Sequence, residues 1–308
     1  MSKMDESLKV KIGGINFENP VLVAGGTFGY GEEYSQLIDV NELGGIVTKT
    51  VTMEPREGSL PPRLAETPAG LLNAIGLENP GVEAFLKTKL PFLQKLNTRI
   101  IVNIAGEEKE DYFHVGERLN QSEGIDGLEV NISCPNVQRG GFILGTDPEL
   151  VLSLVKGLKN VVDFPLIVKL TPNVTDIVEI AQAAEEGGAD ALSLINTLWG
   201  MAIDVERRKP KLGNITGGLS GPAIKPVAVR IVWQVFRKVD LPIIGMGGIM
   251  NAEDALEFIL AGASAIAIGT ANLVDPQTPL KVKEGIKEYL KKKGISNFRE
   301  LIGKVNIN

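Results

Sequence analysis

Cysteine and histidine are almost absent from this sequence: its 308 residues include one cysteine, Cys134, and one histidine, His114. A single thiol cannot form an internal disulfide. It also cannot alone hold a zinc ion or an iron–sulfur cluster, which need several ligands. His114 is the only candidate for a histidine base, and it lies in the helical pattern "EDYFHVGERL", where we expect it on the outside of the fold. Cys134 is therefore either a small packing residue or a reactive group.

Clustered basic charge and long apolar runs are also missing. The formal net charge is -6 and the basic residues are scattered, which argues against nucleic acid or an anionic membrane surface as a partner. No apolar run approaches membrane-spanning length, and the opening "MSKMDESLKVKIGG" lacks the apolar centre of a signal peptide. We expect a cytoplasmic protein, and the single thiol is consistent with a reducing compartment.

Eight short apolar segments recur along the chain and are predicted as buried parallel strands. They cover residues 21–24, 44–51, 99–106, 127–133, 165–171, 191–197, 241–247 and 265–270. Helical patterns lie between most of them; two begin at the capping residues Asp147 and Asn251, and another runs from Asp176 to Glu186. This alternation predicts an α/β fold, a (β/α)8 TIM barrel formed by one domain over residues 1–308, with a doubly wound open sheet as the competing fold.

Three further segments fall outside a minimal barrel. Residues 8–20 alternate around two glycines and are predicted as an N-terminal β-hairpin that closes one end of the barrel. Residues 52–77 and 198–226 are long, proline-containing loops that follow strand C-termini. Loops of this length and position are typical of an active-site face, so we expect them to form a lid or a binding surface.

Polar residues interrupt the apolar strands near their C-terminal ends, which meet at one mouth of a parallel barrel. They are Lys49, Thr50, Asn103, Asn131, Lys169, Asn196, Thr197 and Thr270, with Cys134 just beyond the fourth strand. Buried lysines are costly without a partner, so the set favours a functional site at this mouth. Glycines at the same end are candidates for contact with a ligand phosphate, namely Gly221, Gly247, Gly248 and Gly269. No G-x-G-x-x-G or Walker A pattern is present.

Several long motifs resemble one known family. "NISCPN" followed by "GGFILGTDPE", with "LLNAIGLENPG" upstream and "INTLWGMAID" downstream, is similar to the catalytic subunit of dihydroorotate dehydrogenase, in the NAD-linked type B branch of class I. The resemblance covers essentially the whole chain. It implies a barrel that holds FMN at its C-terminal mouth and oxidises dihydroorotate to orotate in pyrimidine biosynthesis.

The resemblance also implies roles for individual residues. Cys134 takes the place of the catalytic base, on a loop (residues 135–145) that we expect to move over the substrate. The substrate-binding positions are Lys49, Asn73, Ala74, Ile75, Gly76, Leu77, Asn131, Asn196 and Thr197. The FMN-binding positions are Gly25, Lys49, Thr50, Asn103, Asn131, Lys169, Ile195, Gly221, Gly247, Gly248, Gly269 and Thr270.

A partner subunit follows from the same resemblance. In the type B branch a second subunit carries FAD and a [2Fe–2S] cluster and passes electrons to NAD, and the assembly is a heterotetramer around a dimer of the catalytic chain. One cysteine cannot hold such a cluster, so the cluster is expected on the partner.

Three alternatives remain open from the sequence. The FMN domain of a dihydropyrimidine dehydrogenase shares the barrel and the cysteine, but its substrates carry no carboxylate for Lys49 to hold. A fumarate-linked type A dihydroorotate dehydrogenase is a second rival, although "GGFILGTDPE" favours type B. A non-redox phosphate-binding barrel would use the same glycines without a flavin.

Overall fold

Eight parallel strands close into a barrel in the computed structural model, which describes residues 6–133 and 144–306. Each strand pairs with the next in chain order, and the last pairs with the first. The strands are β1 Val21–Val23, β2 Gly45–Val47, β3 Arg99–Ile104, β4 Gly127–Asn131, β5 Leu166–Lys169, β6 Ala191–Leu194, β7 Ile243–Met246 and β8 Ala265–Ile268. All eight lie within the predicted segments, so the TIM barrel is confirmed and the doubly wound sheet is excluded.

Helices follow the strands and cover the outside of the barrel. The described α-helices are Gly25–Phe28, Val82–Thr88, Leu90–Leu93, Lys109–Asn120, Pro148–Lys159, Ile177–Glu186, Lys225–Phe236, Ala252–Ala261, Ala271–Val274 and Thr278–Lys293. Short 3-10 helices cover Glu6–Leu8, Tyr34–Gln36, Val40–Glu42, Pro222–Ile224 and Phe298–Leu301. The two predicted caps are confirmed, since the side chains of Asp147 and Asn251 each accept a backbone N–H of the first helical turn. Asp176 caps its helix in the same way. His114 is exposed on its helix, as expected.

The N-terminal hairpin is also confirmed. Its antiparallel strands are Val10–Ile12 and Ile15–Phe17. Arg99, at the start of β3, donates its Nε hydrogen to the carbonyl oxygen of Asn16 at 2.7 Å. A Cβ atom at Gly127, the first residue of β4, would lie 2.8 Å from the Ile15 side chain. These contacts place the hairpin at the N-terminal ends of the strands, opposite the predicted mouth.

The two long loops contain strands of their own, which were not predicted from the sequence. They form an antiparallel sheet, called here the insertion sheet, with the strand order Leu198–Met201, Thr216–Ser220, Gly70–Asn73 and Leu64–Thr67. A small ribbon, Ile203–Asp204 with Lys209–Pro210, extends it. The central pairing joins Gly70–Asn73 to Thr216–Ser220, segments far apart in the chain, so a local sequence pattern does not reveal it.

Within the described residues, no helix is long and apolar enough to cross a membrane. The same residues contain no group of three His, Cys, Asp or Glu side chains placed to hold a metal ion.

Candidate active site

A cavity of 310 Å³ lies at the C-terminal ends of the barrel strands, with residues of the insertion sheet on its wall. This volume is in the range of small-molecule sites. The structure brings most of the predicted site residues together around it. Those that line the cavity are Lys49, Thr50, Asn73, Ile75, Gly76, Leu77, Asn103, Asn131, Lys169, Ile195, Asn196, Thr197, Gly221, Gly247, Gly248, Gly269 and Thr270.

Three predicted site residues are not among those lining residues. Ala74 is fully buried in a small apolar cluster with Leu72 and Leu212, under the insertion sheet. Gly25 packs against the backbone of Thr48, where a Cβ atom would lie 1.8 Å from the carbonyl oxygen. Cys134 and most of the predicted moving loop lie outside the described residues.

A buried carboxylate lies beneath the floor of the cavity. Glu129, in β4, is 1% exposed. Its Oε1 atom accepts hydrogen bonds from Asn103 Nδ2 at 2.5 Å and from Lys169 Nζ at 3.2 Å. Its Oε2 atom accepts the Ser193 hydroxyl at 2.8 Å. Side chains from four barrel strands therefore meet at one carboxylate, and the ammonium of Lys169 is charge-paired where it faces the cavity.

Hydrogen bonds also fix the direction of the floor amides. Thr50 Oγ1 donates to Asn103 Oδ1 at 2.5 Å, while the Asn103 amide donates to Glu129. Because both ends of the Asn103 amide are engaged, its orientation is determined. Asn131 Nδ2 lies 3.5 Å from the same Asn103 oxygen, so the two asparagines continue one network.

A second chain of hydrogen bonds crosses from β4 to the end of β6. Ser133 donates its hydroxyl hydrogen to Asn131 Oδ1 at 2.9 Å and accepts from Asn196 Nδ2 at 2.7 Å. The side-chain oxygen Oδ1 of Asn196 accepts the Thr197 backbone N–H at 2.8 Å. Ser133 directly precedes Cys134 in the sequence, so the described chain reaches Cys134 from an anchored position beside the cavity asparagines.

A second lysine lies at the rim of the cavity. Lys49 Nζ is 3.7 Å from Glu78 Oε2, and Arg63 contacts the same oxygen at 2.8 Å. The side chain of Lys49 is 30% exposed and that of Glu78 is 47% exposed, so water screens this pair. The neighbouring residue Leu77 has φ 56°, a left-handed conformation that is unusual for a non-glycine residue.

Glycines and hydroxyls form the wall on the β7–β8 side. Thr270 Oγ1 donates to Ser220 Oγ at 2.8 Å. A Cβ atom at Gly269 would have only the Ala24 Cβ within 4 Å, at 3.9 Å, so this glycine borders open space. Gly248 differs, because its φ is +81° and a Cβ atom would lie 2.7 Å from the Gly221 carbonyl oxygen. The fold therefore explains Gly248, whereas the space beside Gly269 suits a ligand.

Several polar residues of this site were not predicted from the sequence, among them Glu129, Ser193, Glu78 and Ser220. The signal for Glu129 was present, because it interrupts an apolar strand two positions before Asn131, on the same side of an alternating strand. Ser193 interrupts β6 in the same way. Glu78 and Ser220 have no such signal, since their places depend on the insertion sheet and its flanks.

Comparisons with known proteins bear on the family and the fold of the chain. A family model described as dihydroorotate dehydrogenase matches residues 7–290. The catalytic subunit of dihydroorotate dehydrogenase B (NAD(+)) from Desulforamulus reducens is 56% identical over 99% of this chain and 100% of its own length. The protein of the same name from Caldicellulosiruptor saccharolyticus is 54% identical over 98% and 100%. A crystal structure of DHODH from Eimeria tenella, in complex with ferulenol, has a TM-score of 0.82 and covers 99% of this chain and 90% of its own, at 24% identity, which shows the fold alone.

Proposed function

The chain belongs to the dihydroorotate dehydrogenase family, and we propose that it oxidises dihydroorotate to orotate at the cavity described above. The observation that carries the proposal is the convergence of Lys49, Lys169 and the asparagines Asn103, Asn131 and Asn196 on one cavity at the barrel mouth. Ammonium groups suit a substrate carboxylate, and amides suit the amide edges of a pyrimidine ring because they both donate and accept hydrogen bonds. Such an activity belongs to the synthesis of pyrimidine nucleotides.

We propose FMN as the cofactor, since the residues present fit it. The hydroxyls of Ser220 and Thr270 and the space beside Gly269 lie where a phosphate needs donors and room. Lys169 supplies a positive charge at the floor, beside the amides of Asn103 and Asn131. FMN, when bound, supplies the hydride acceptor that no side chain provides.

The remaining groups position the substrate. Among the described residues, Glu78 is the one ion-pair partner of Lys49, at a long and partly exposed contact, so Lys49 is available to a substrate carboxylate at the rim. Asn73 donates to the Gly218 carbonyl oxygen at 3.2 Å, which leaves its own carbonyl oxygen for a ring N–H. Asn131 and Asn196 are linked through Ser133, so they present their amides as one fixed unit.

We assign the proton acceptor to Cys134. The reaction removes a proton from C5 of dihydroorotate and a hydride from C6, which leaves the conjugated double bond of orotate. A free thiol has a pKa of about 8.5, so a modest shift gives a usable thiolate fraction near neutral pH. The hydrogen-bonded position of Ser133 supports this assignment, because it brings the chain to the cavity immediately before Cys134.

We further propose a partner subunit that takes the electrons onward to NAD. The relatives are named as catalytic subunits of an NAD(+) enzyme, which supports a separate subunit. We expect that subunit to carry FAD and a [2Fe–2S] cluster in a heterotetramer, because Cys134 alone cannot ligate a cluster. A reducing cytoplasm is consistent with the single thiol.

Anaerobic addition of dihydroorotate to the purified, FMN-loaded chain tests the proposal. We expect the yellow absorbance to bleach in proportion to added substrate. A chain that binds FMN but bleaches only with dihydrouracil would move the substrate to uncharged dihydropyrimidines. A chain that binds no flavin would overturn the assignment. Cys134→Ala should keep FMN bound and lose nearly all bleaching by dihydroorotate, while wild-type-like bleaching by this variant would remove Cys134 from the role of base.

A further inference from the structure

Glu129 has a place in the structure that the proposed reaction does not use. It does not line the cavity, yet it contacts two residues that do, Asn103 and Lys169. Among the described residues it is the only carboxylate within ion-pair distance of Lys169, whose side chain is 9% exposed. A buried ammonium that loses its partner is unfavourable, so without Glu129 the side chain of Lys169 turns away from the cavity floor toward solvent.

We propose that Glu129 is the positioning residue for Lys169, which holds the ammonium at the cavity floor and directs it at the cofactor. This inference rests on the proposed function, since it concerns the reduced form of bound FMN. A cation at the cavity floor stabilises the negative charge that reduction brings to the flavin. Glu129 therefore raises the reduction potential of bound FMN indirectly, although its own charge is negative.

The direction in which the reduction potential of FMN changes when Glu129 is removed separates positioning from a direct effect of charge. If Glu129 acted only through its electric field, its removal would always favour the reduced, more negative flavin. If Glu129 acts through Lys169, its removal disfavours the reduced flavin, because Lys169 lines the cavity and Glu129 lies beneath it. Lys169 lines the cavity that the cofactor would occupy, so the displacement of its ammonium outweighs the removal of the more distant carboxylate.

The experiment measures the midpoint potential of bound FMN at pH 7 in a four-member cycle of wild type, Glu129→Gln, Lys169→Met and the double variant. We expect Glu129→Gln to weaken binding of reduced FMN relative to oxidised FMN by about tenfold, which is about 30 mV for a two-electron couple. In the Lys169→Met background the same substitution should raise the potential, because only the negative charge is then removed. Ser193→Ala is the matched control, since it removes a hydrogen bond to the same carboxylate and leaves the contact between Lys169 and Glu129 in place.

Each outcome decides the inference. A potential that rises in both backgrounds, or that is unchanged by Glu129→Gln, overturns the positioning role and leaves the proposed function standing. A wild-type chain that binds no FMN overturns both. If Glu129→Gln does not fold, the test compares the urea midpoints of Lys169→Met and the double variant. A more stable double variant supports the coupling between Glu129 and Lys169, and an equally stable one overturns it.

Discussion

Two lysines face the same cavity from very different surroundings. Lys169 lies in the floor, 8% exposed, with its ammonium 3.2 Å from a carboxylate that is 1% exposed. Lys49 lies at the rim with a side chain 30% exposed, and its nearest carboxylate oxygen is 3.7 Å away on a side chain 47% exposed. One residue type in one cavity therefore has two electrostatic environments.

The difference in environment indicates different roles for the two lysines. The floor pair is protected from water and salt, so it suits a permanent role beside a cofactor that stays bound. The rim pair is weak and screened, so Lys49 exchanges its partner at little cost when a charged substrate enters. Burial, rather than residue type, decides which lysine is fixed and which is available.

The largest expected effect comes from breaking the floor pair. Lys169→Met leaves Glu129 as an uncompensated buried carboxylate, and we expect the free energy of unfolding to fall by about 3–5 kcal/mol. Lys49→Met should cost under about 1 kcal/mol, because its pair is exposed. Urea unfolding of both flavin-free variants checks this. Equal losses would contradict the comparison between floor and rim.

The rim lysine should matter more for substrate binding than for stability. Lys49→Met removes the cation that we assign to the substrate carboxylate, and a charge-assisted hydrogen bond contributes about 1.5–3 kcal/mol, so KM for dihydroorotate should rise about tenfold to a hundredfold. Glu78→Gln removes the competing anion and should lower KM. Steady-state kinetics at two salt concentrations checks both, and an unchanged KM in Lys49→Met would show that the substrate carboxylate binds elsewhere.

The polar residues at the strand ends, Lys49 of the rim included, could be predicted from the sequence, but the part of the cavity wall that the insertion sheet forms could not. Lys169, Asn103 and Asn131 interrupt apolar strands, and the parallel barrel brings strand ends together whatever the loops do. Ser220 and the pairing that places Asn73 depend on hydrogen bonds between two distant insertions. Such pairing leaves no local periodicity, so those segments were predicted as loops. Glu129 interrupts its apolar strand as Lys169 does, so a polar residue deeper in a strand is as informative as one at the strand end.

A glycine pair sharpens the distinction between residues that serve the fold and those that serve the ligand. At Gly269 a methyl group meets only the Ala24 Cβ, so Gly269→Ala should change unfolding by under about 0.5 kcal/mol. The same methyl enters the space assigned to the cofactor phosphate and should weaken FMN binding by about tenfold or more. Gly248→Ala is the contrasting variant, with a destabilisation above about 1 kcal/mol from its φ of +81° and its contact with Gly221. Fluorescence titration with FMN, beside urea unfolding, separates the two effects.

The smallest expected effect concerns a third lysine, of intermediate exposure, next to the glycine wall. Lys225 donates to Asp254 and Glu257 at 2.6 Å each, and its side chain is 24% exposed. The hydrogen bond to Asp254, then that to Glu257, raises the pKa of Lys225 above its ordinary value of 10.5. A raised folded-state pKa means that the stabilisation is fully present below the unfolded pKa and is lost as the pH rises through the folded one. Lys225→Met should therefore lower the free energy of unfolding by at most about 1 kcal/mol between pH 7 and 10, and the difference from wild type should shrink above that range.

Lys281→Met is the control, because its side chain is 69% exposed and its removal should leave the urea midpoint unchanged. A cost at Lys225 no larger than at Lys281 would mean that partial burial adds nothing to an ion pair in this wall, and that only the fully enclosed floor pair differs from the rim.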